Sequence, residues 1–276
     1  MLRLIRYDLL QAVREKAVLF WMLAFPILLG FLYHISVSSQ FRAAGDTLAV
    51  QAGAEGFRYV KEVSFNGHSF SGMETCFFAL IGMTCLYGGI LGRNHAAELQ
   101  ANLSALGARN SISPVPWMRM LLAKMLSGIL VTTCCAGAVT GFLAYVTGDI
   151  RIDGAEGWVM LICLMGSAIG TAFGIAIGSI GKWSREVKSV LHSLLSMAMA
   201  VLAGLIAADG SYRLRQYAPI LDRMNPAAVI SDAFYCVCIY ENPGQLGQDL
   251  LILGGMIVLL LGAVYFGIRR TGYDSI

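Results

Sequence analysis

WVMLICLMGSAIGTAFGIAIGSI runs from Trp158 to Ile180 without one charged side chain. A helix needs about 20 mostly apolar residues to cross the hydrocarbon of a bilayer, and this stretch supplies them. Gly166, Gly170, Gly174 and Gly178 recur at spacing four, so they line one helical face. In lipid there is no hydrophobic force between helices, and glycine acts by letting a second backbone approach closely. The spacing predicts tight packing along that face, against a helix of the same chain in preference to a second copy. Gly137 and Gly141 repeat the spacing one segment earlier.

Five further stretches have the same length and character: Ala17–Ile35, Met73–Gly92, Leu121–Thr147, Val190–Ala208 and Leu250–Ile268. The whole chain is 57% hydrophobic and 13% charged, with a mean hydropathy of +0.67. A soluble domain carries about 25% charged residues, so both a soluble globule and a disordered chain are excluded. The expectation is an all-α polytopic membrane protein with six spans, forming a single transmembrane domain over residues 1–276. Asn225–Tyr240 is apolar but short and is interrupted by Pro226, Ser231 and Asp232, which reads as a re-entrant or interfacial segment.

Six spans put both termini on one side. With that side cytoplasmic, 13 of the 20 Lys and Arg residues fall inside and 7 outside, the bias that orients membrane proteins. The basic residues flank spans, so the net charge of +3 is no nucleic-acid signal. Before the first span, Leu2, Ile5, Leu9, Ala12 and Val13 fall on one stripe, and Arg3, Asp8, Gln11, Arg14 and Glu15 on the other. That pattern predicts an amphipathic helix in the membrane interface, with a plain basic flank as the alternative. The first apolar run is too long for a signal peptide, and Tyr33-His34-Ile35 offers no small-x-small cleavage site.

Catalytic motifs are missing. Gly181-Lys182 is followed by Trp183 and has Ala176 where a P-loop needs its first glycine. ATP hydrolysis is therefore not expected on this chain. Five of the seven cysteines lie inside spans, and His34, His68, His95 and His192 are scattered without ligand spacing, so no metal is expected. Glu74 and Lys124 lie near span ends, from which their heads should snorkel to the interface. His192 reads as a polar residue at a helix end in preference to a proton switch. Paired intramembrane acids, the mark of ion-coupled carriers and membrane enzymes, do not occur in the spans.

Residues 93–116 form a long inside loop, RNHAAELQANLSALGARNSISPVP. Asn94 can cap a short helix over 95–106 and Gly107 can end it, while Ser113, Pro114 and Pro116 open the next span. A short helix along that face is a docking element; the alternative is a solvated linker.

With these features in order, the chain resembles the permease subunit of ABC-2 type ABC transporters, the fold of type V exporters. The resemblance rests on the amphipathic N-terminal helix and on Phe20-Trp21…Phe25-Pro26. It rests also on the Glu98-to-Pro114 loop with Lys124 ten residues beyond, and on Pro219…Asn225-Pro226 before the last span. Departures are Ala101-Asn102-Leu103-Ser104, where many members have Gly-Thr-Leu-Glu, and Ala123 before Lys124, where Gly is common. The resemblance implies a half-transporter that pairs with a second or related permease copy and with two ATPase subunits, which carry ATP and Mg. It implies a cytoplasmic coupling helix with Glu98 as ionic contact, Leu103 and Leu106 as apolar anchors, and Arg109 beside them. It implies short extracellular re-entrant helices forming a gate at Pro219, Asn225 and Pro226. It implies a path along spans two and five, which gives Met83, Thr84, Tyr87, Ser193, Ser196 and Met197. These side chains are apolar or hydroxylic, so the expected cargo is amphipathic or hydrophobic: a peptide antibiotic, drug or lipid. The expected location is the plasma membrane. An ATP-independent carrier or channel and a membrane enzyme are the rival classes.

Overall fold

The computed structural model describes residues 2–36, 73–100, 107–109, 115–148, 150, 152, 154–179, 183–206, 214–240 and 242–273. Among these residues the chain is helical and has no strand. Leu103 and Leu106 lie outside the described residues.

α1 (Leu2–Arg14) passes into α2 (Lys16–Ser36) at Glu15. α3 (Met73–Tyr87) and α4 (Gly89–Leu99) are one rod interrupted at Gly88. α5 (Trp117–Gly141) continues as a π-helical turn, Phe142–Val146. Then come α6 (Glu156–Ser179), α7 (Arg185–Leu202), the short α8 (Pro219–Met224), α9 (Pro226–Cys238) and the long α10 (Pro243–Tyr273).

Among the described residues, five helical stretches are long and apolar enough to cross a membrane: Lys16–Ser36, Glu74–Leu99, Met118–Val146, Glu156–Ser179 and Pro243–Tyr265. The expected span Val190–Ala208 is not among them. α7 carries Arg185, Glu186 and Lys188 in its first turn and stops at Leu202. The stop is a Schellman motif: Gly204, at φ 106°, donates to the Val201 carbonyl and Leu205 donates to the Ala200 carbonyl, both at 3.1 Å. Glycine takes that left-handed backbone without a Cβ penalty and so ends the helix.

α6 is the central rod, and its glycines do what their spacing requires. A β-carbon on Gly170 would collide with the Cys85 carbonyl, and one on Gly174 with the Gly89 carbonyl. On Gly178 it would stand 2.6 Å from Ala96 Cβ, and on Gly166 3.0 Å from Cys85 Sγ. The whole stripe thus faces α3 and α4. Gly137 and Gly141 on α5 behave differently: the first meets only the tip of Met160 at 3.8 Å, and the second has nothing within 4 Å.

α2 shows why its first turns are wound as a π-helix over Phe20–Ala24. Pro26 has no N–H to return to the preceding turn. The ladder shifts ahead of it, so the Phe25 N–H bonds the Phe20 carbonyl, five residues back.

α4 corrects the expected loop helix. Asn94 is not a cap, because the helix begins at Gly89 and runs unbroken to Leu99. His95, Ala96 and Leu99 are buried, and this packing wins over the capping preference of Asn94. Gln100 turns extended and donates to the Gly178 carbonyl at 3.2 Å.

α7 is turned inside out relative to a helix in water. Lys188, His192, Ser196 and Ala200, spaced by four, are buried, while Val187, Val190 and Leu194 are exposed. Apolar side chains on the outside and polar ones on the inside suit a lipid surrounding.

Candidate functional site

Lys124 stands two turns into α5, which begins where Pro116 supplies the preset backbone before Trp117. It does not snorkel. Its side chain is 8% exposed, and Nζ meets Asp8 Oδ1 at 3.1 Å and Glu98 Oε2 at 2.5 Å. Asp8 comes from α1 and Glu98 from the last turn of α4, so one ammonium joins three helices. Gln11 donates to the other Glu98 oxygen at 2.7 Å, and Asn94 donates to Glu15 Oε2 at 3.3 Å. Asp8 and Gln11 share a face of α1, as do Asn94 and Glu98 on α4, because residues three or four apart are neighbours on a helix.

This geometry changes two sequence readings. Asp8 was expected on the outer polar side of α1, yet it points inward alongside Ala12; Val13, expected on the apolar stripe, is exposed. Glu98 was expected as an ionic contact to a partner, yet its side chain is 12% exposed and committed to Lys124. The junction holds two carboxylates against one ammonium. Burial pushes the Asp8 carboxyl up from its usual 3.8, with the charge of Lys124 opposing the rise. Breaking such a buried pair by removing one member costs about 3–5 kcal/mol. Arg109, in the helical turn 107–109, is exposed.

The expected path residues do not share one surface. Met83 and Thr84 are fully buried, and Thr84 Oγ1 returns to the Leu80 carbonyl at 2.9 Å. Tyr87 is buried with its ring 6.3 Å from that of Phe25. Ser196 is buried, its Oγ 3.4 Å from His192 Nε2. Only Ser193 and Met197 are exposed, on the outer face of α7. The reason is the position of α3 in the middle of the bundle, where α5, α6 and α9 consume its side chains. His192 is fully buried rather than set at a wet helix end; it lies against Gly89, with its ring 5.8 Å from Phe173.

At the opposite end of the bundle, α8 and α9 form a bent pair. Pro219 opens α8 and Pro226 opens α9, each in the first turn, where a missing N–H is harmless. Asn225 lies between them. Its Oδ1 accepts from the Ala227 N–H at 3.0 Å, capping α9, and its Nδ2 donates to the Met199 carbonyl at 2.8 Å in the last turn of α7. Arg215 bonds Asp222 at 3.3 Å and also Asp232, tying the approach to α8 onto α9. The Tyr33 hydroxyl donates to the Leu205 carbonyl at 2.7 Å, joining α2 to the turn after α7. α9 packs its buried face on α3, with Phe234 stacked 5.6 Å from Phe78. Pro219 itself is exposed, whereas Asn225 and Pro226 are buried.

Among the described residues no cluster of His, Cys, Asp or Glu could hold a metal ion. The sequence reading missed the roles of Asp8, Gln11 and Arg215. The usable signal was a charge inside or beside an apolar run, as at Lys124.

No curated protein and no solved structure matches the chain. A family model described as ABC-2 family transporter protein matches residues 46–266, which takes in α3 to α9 and most of α10 but neither α1 nor α2. The chain, a multi-pass helical membrane protein with Asn225 bonding α9 to α7 at one end and Lys124 joining three helices at the other, belongs to the ABC-2 transporter family and is a transport permease.

Proposed function

We propose that this permease is the membrane half of an ATP-driven exporter, working as a pair of permease copies with two separate ATPase subunits. The observation that carries this reading is the Asp8–Lys124–Glu98 junction, which makes α1, α4 and α5 one mechanical piece. A push on the segment between α4 and α5 is then delivered to two spans and the N-terminal helix together. In this reading the junction faces the cytoplasm of a cell whose plasma membrane holds the protein, and α7 completes the sixth crossing. α1 lies in the interface. Leu103, Leu106 and Arg109 form the docking surface, while Glu98 holds the junction from within. The α8–α9 pair closes the outer side, hinged at Asn225. Ser193 and Met197 on α7 contribute to the path, and the cargo is amphipathic. The two states would interconvert by rocking of the helix bundle as the ATPases close.

The test is recovery of an ATP-hydrolysing subunit with the chain purified from its native membrane in mild detergent. Wild type should bring it along, and Arg109→Glu should lose most of it while keeping the wild-type helical content. A chain that purifies without any ATPase would overturn the reading.

A further inference from the structure

Arg93, Arg185 and Lys188 converge where α4, α6 and α7 meet. A β-carbon on Gly178 would stand 3.3 Å from Arg93 Cα, and Lys188 Nζ donates to the Gly178 carbonyl at 2.7 Å. Lys188 is 2% exposed and has that carbonyl as its partner, which suits a cation at the negative end of a helix. Arg93 is half-buried, and its Nη1 is enclosed without an acceptor. The charge that acts on Arg93 is another cation, Arg185. Among the described residues none of the three forms an ion pair. Glu186, the next residue after Arg185, is fully exposed on the first turn of α7. Three cations thus gather with a donor left over, and a buried donor without an acceptor calls for one.

The surroundings say what kind of acceptor. Trp183, half exposed, precedes α7 at the same level, and tryptophan marks the head-group layer of a bilayer. From there Val187, Val190 and Leu194 run along α7 as an exposed apolar strip, continued by Met197. A cationic corner thus stands at head-group level with an apolar strip leading away from it. We infer that this corner binds an amphiphile of the adjoining leaflet through a phosphate head, with Arg93 and Arg185 as the contacting groups and the α7 strip holding the tail. Lys188 contributes background charge only. The inference rests on the permease reading for its meaning, since it makes the cargo class an anionic amphiphile entering beside α7. Binding itself requires no ATPase.

The test uses the full-length chain in detergent, titrated separately with phosphatidylglycerol, phosphatidylcholine and inorganic phosphate, with bound adducts counted by native mass spectrometry. Phosphatidylglycerol should bind about tenfold more tightly than phosphatidylcholine, and Arg185→Gln should remove that preference. Arg185 is exposed, so its loss should leave the fold intact; Arg93→Gln is the second variant and should act in the same direction. Equal binding of the two lipids by wild type, or an unchanged preference in both variants, overturns the inference. So does displacement of the lipid by inorganic phosphate at equal concentration, which would mean that the strip holds no tail. Failure of ATPase recovery would remove the permease coupling scheme and leave this lipid preference standing, so the two failures are distinguishable.

Discussion

Gly174 of α6 and Gly89 of α4 meet backbone to backbone, so closely that a β-carbon on Gly174 would overlap the Gly89 carbonyl. Neither chain segment has a flexible side chain to yield there. Gly174→Ala should therefore destabilise the protein by about 1–3 kcal/mol, the usual cost of overpacking. Gly141→Ala is the control, because nothing lies within 4 Å of its β-position. Thermal unfolding in detergent compares the two, and equal midpoints would show that α4 and α6 can separate freely.

Lys124→Met leaves Asp8 and Glu98 facing each other without a counter-charge. The expected loss is about 3–5 kcal/mol. Asp8→Asn with Glu98→Gln, added to Lys124→Met, should restore most of it by removing the stranded carboxylates. Denaturation of the single and triple variants decides the matter: a triple variant no more stable than the single one would mean that Lys124 acts through packing alone.

Asp8→Asn by itself should be tolerated, because Lys124 keeps Glu98 as a one-to-one partner. Its effect is a change in pH dependence. Burial raises the Asp8 carboxyl above its unfolded value of 3.8, so the folded state holds this proton more tightly. Stability from that source is fully present below pH 3.8 and is lost as pH rises through the folded value. Across that acid window wild type should lose stability relative to Asp8→Asn, and the two curves should run parallel above it. Unfolding midpoints measured from pH 3 upward, about half a unit apart, test this; the opposite slope would mean that Lys124 outweighs burial.

Asn225 does two jobs that substitution can separate. Asn225→Ala loses the α9 cap and the bond to the Met199 carbonyl, at a cost of about 1–2 kcal/mol. Asn225→Asp keeps the capping acceptor but has no Nδ2 donor for Met199. Hydrogen exchange should therefore rise over α9 in the alanine variant and over the last turn of α7 in both. Unchanged exchange at α7 in the aspartate variant would show that the Met199 bond carries no weight.

The crossing of α7 is tested by cysteines at Trp183 and Tyr217, both exposed, in a cysteine-free background. An impermeant maleimide added to intact cells should label position 217 and spare 183. Labelling of both from one side would leave α7 lying along the membrane and place the two termini on opposite sides.

Much of the bundle was legible because helices long and apolar enough to cross a membrane announce themselves by the absence of charge. Trp158–Ile180 has none, and α6 forms over it almost end to end. α7 was read with the wrong bounds because its stop depends on the backbone of Gly204, and its start is carried by buried Lys188 and exposed Arg185, which a count of apolar residues skips. Asn94 was read as a cap from local preference, and the burial of His95 and Leu99 overrode it. Glu98 and Lys124 are 26 residues apart, and Asp8 is 116 residues from Lys124. No local pattern reveals such a junction, since it exists only once three helices are side by side. The burial of Met83, Thr84 and Tyr87 was hidden for a related reason: period shows which residues share a face, and only packing decides whether that face is free.

The inverted polarity of α7 has a bearing on how the chain is built into the membrane. Alone in lipid, a helix with Lys188 and His192 on one side is costly, because polar and ionisable groups within a membrane need partners inside the bundle. That cost falls only when the Gly178 carbonyl and the pocket beside Gly89 are already in place. Both belong to segments synthesised earlier than α7. The order of the chain therefore lets α7 enter as a late arrival onto a waiting partner surface rather than as an independent insertion unit. A circular permutant that presented α7 to the insertion machinery first would lose that assistance.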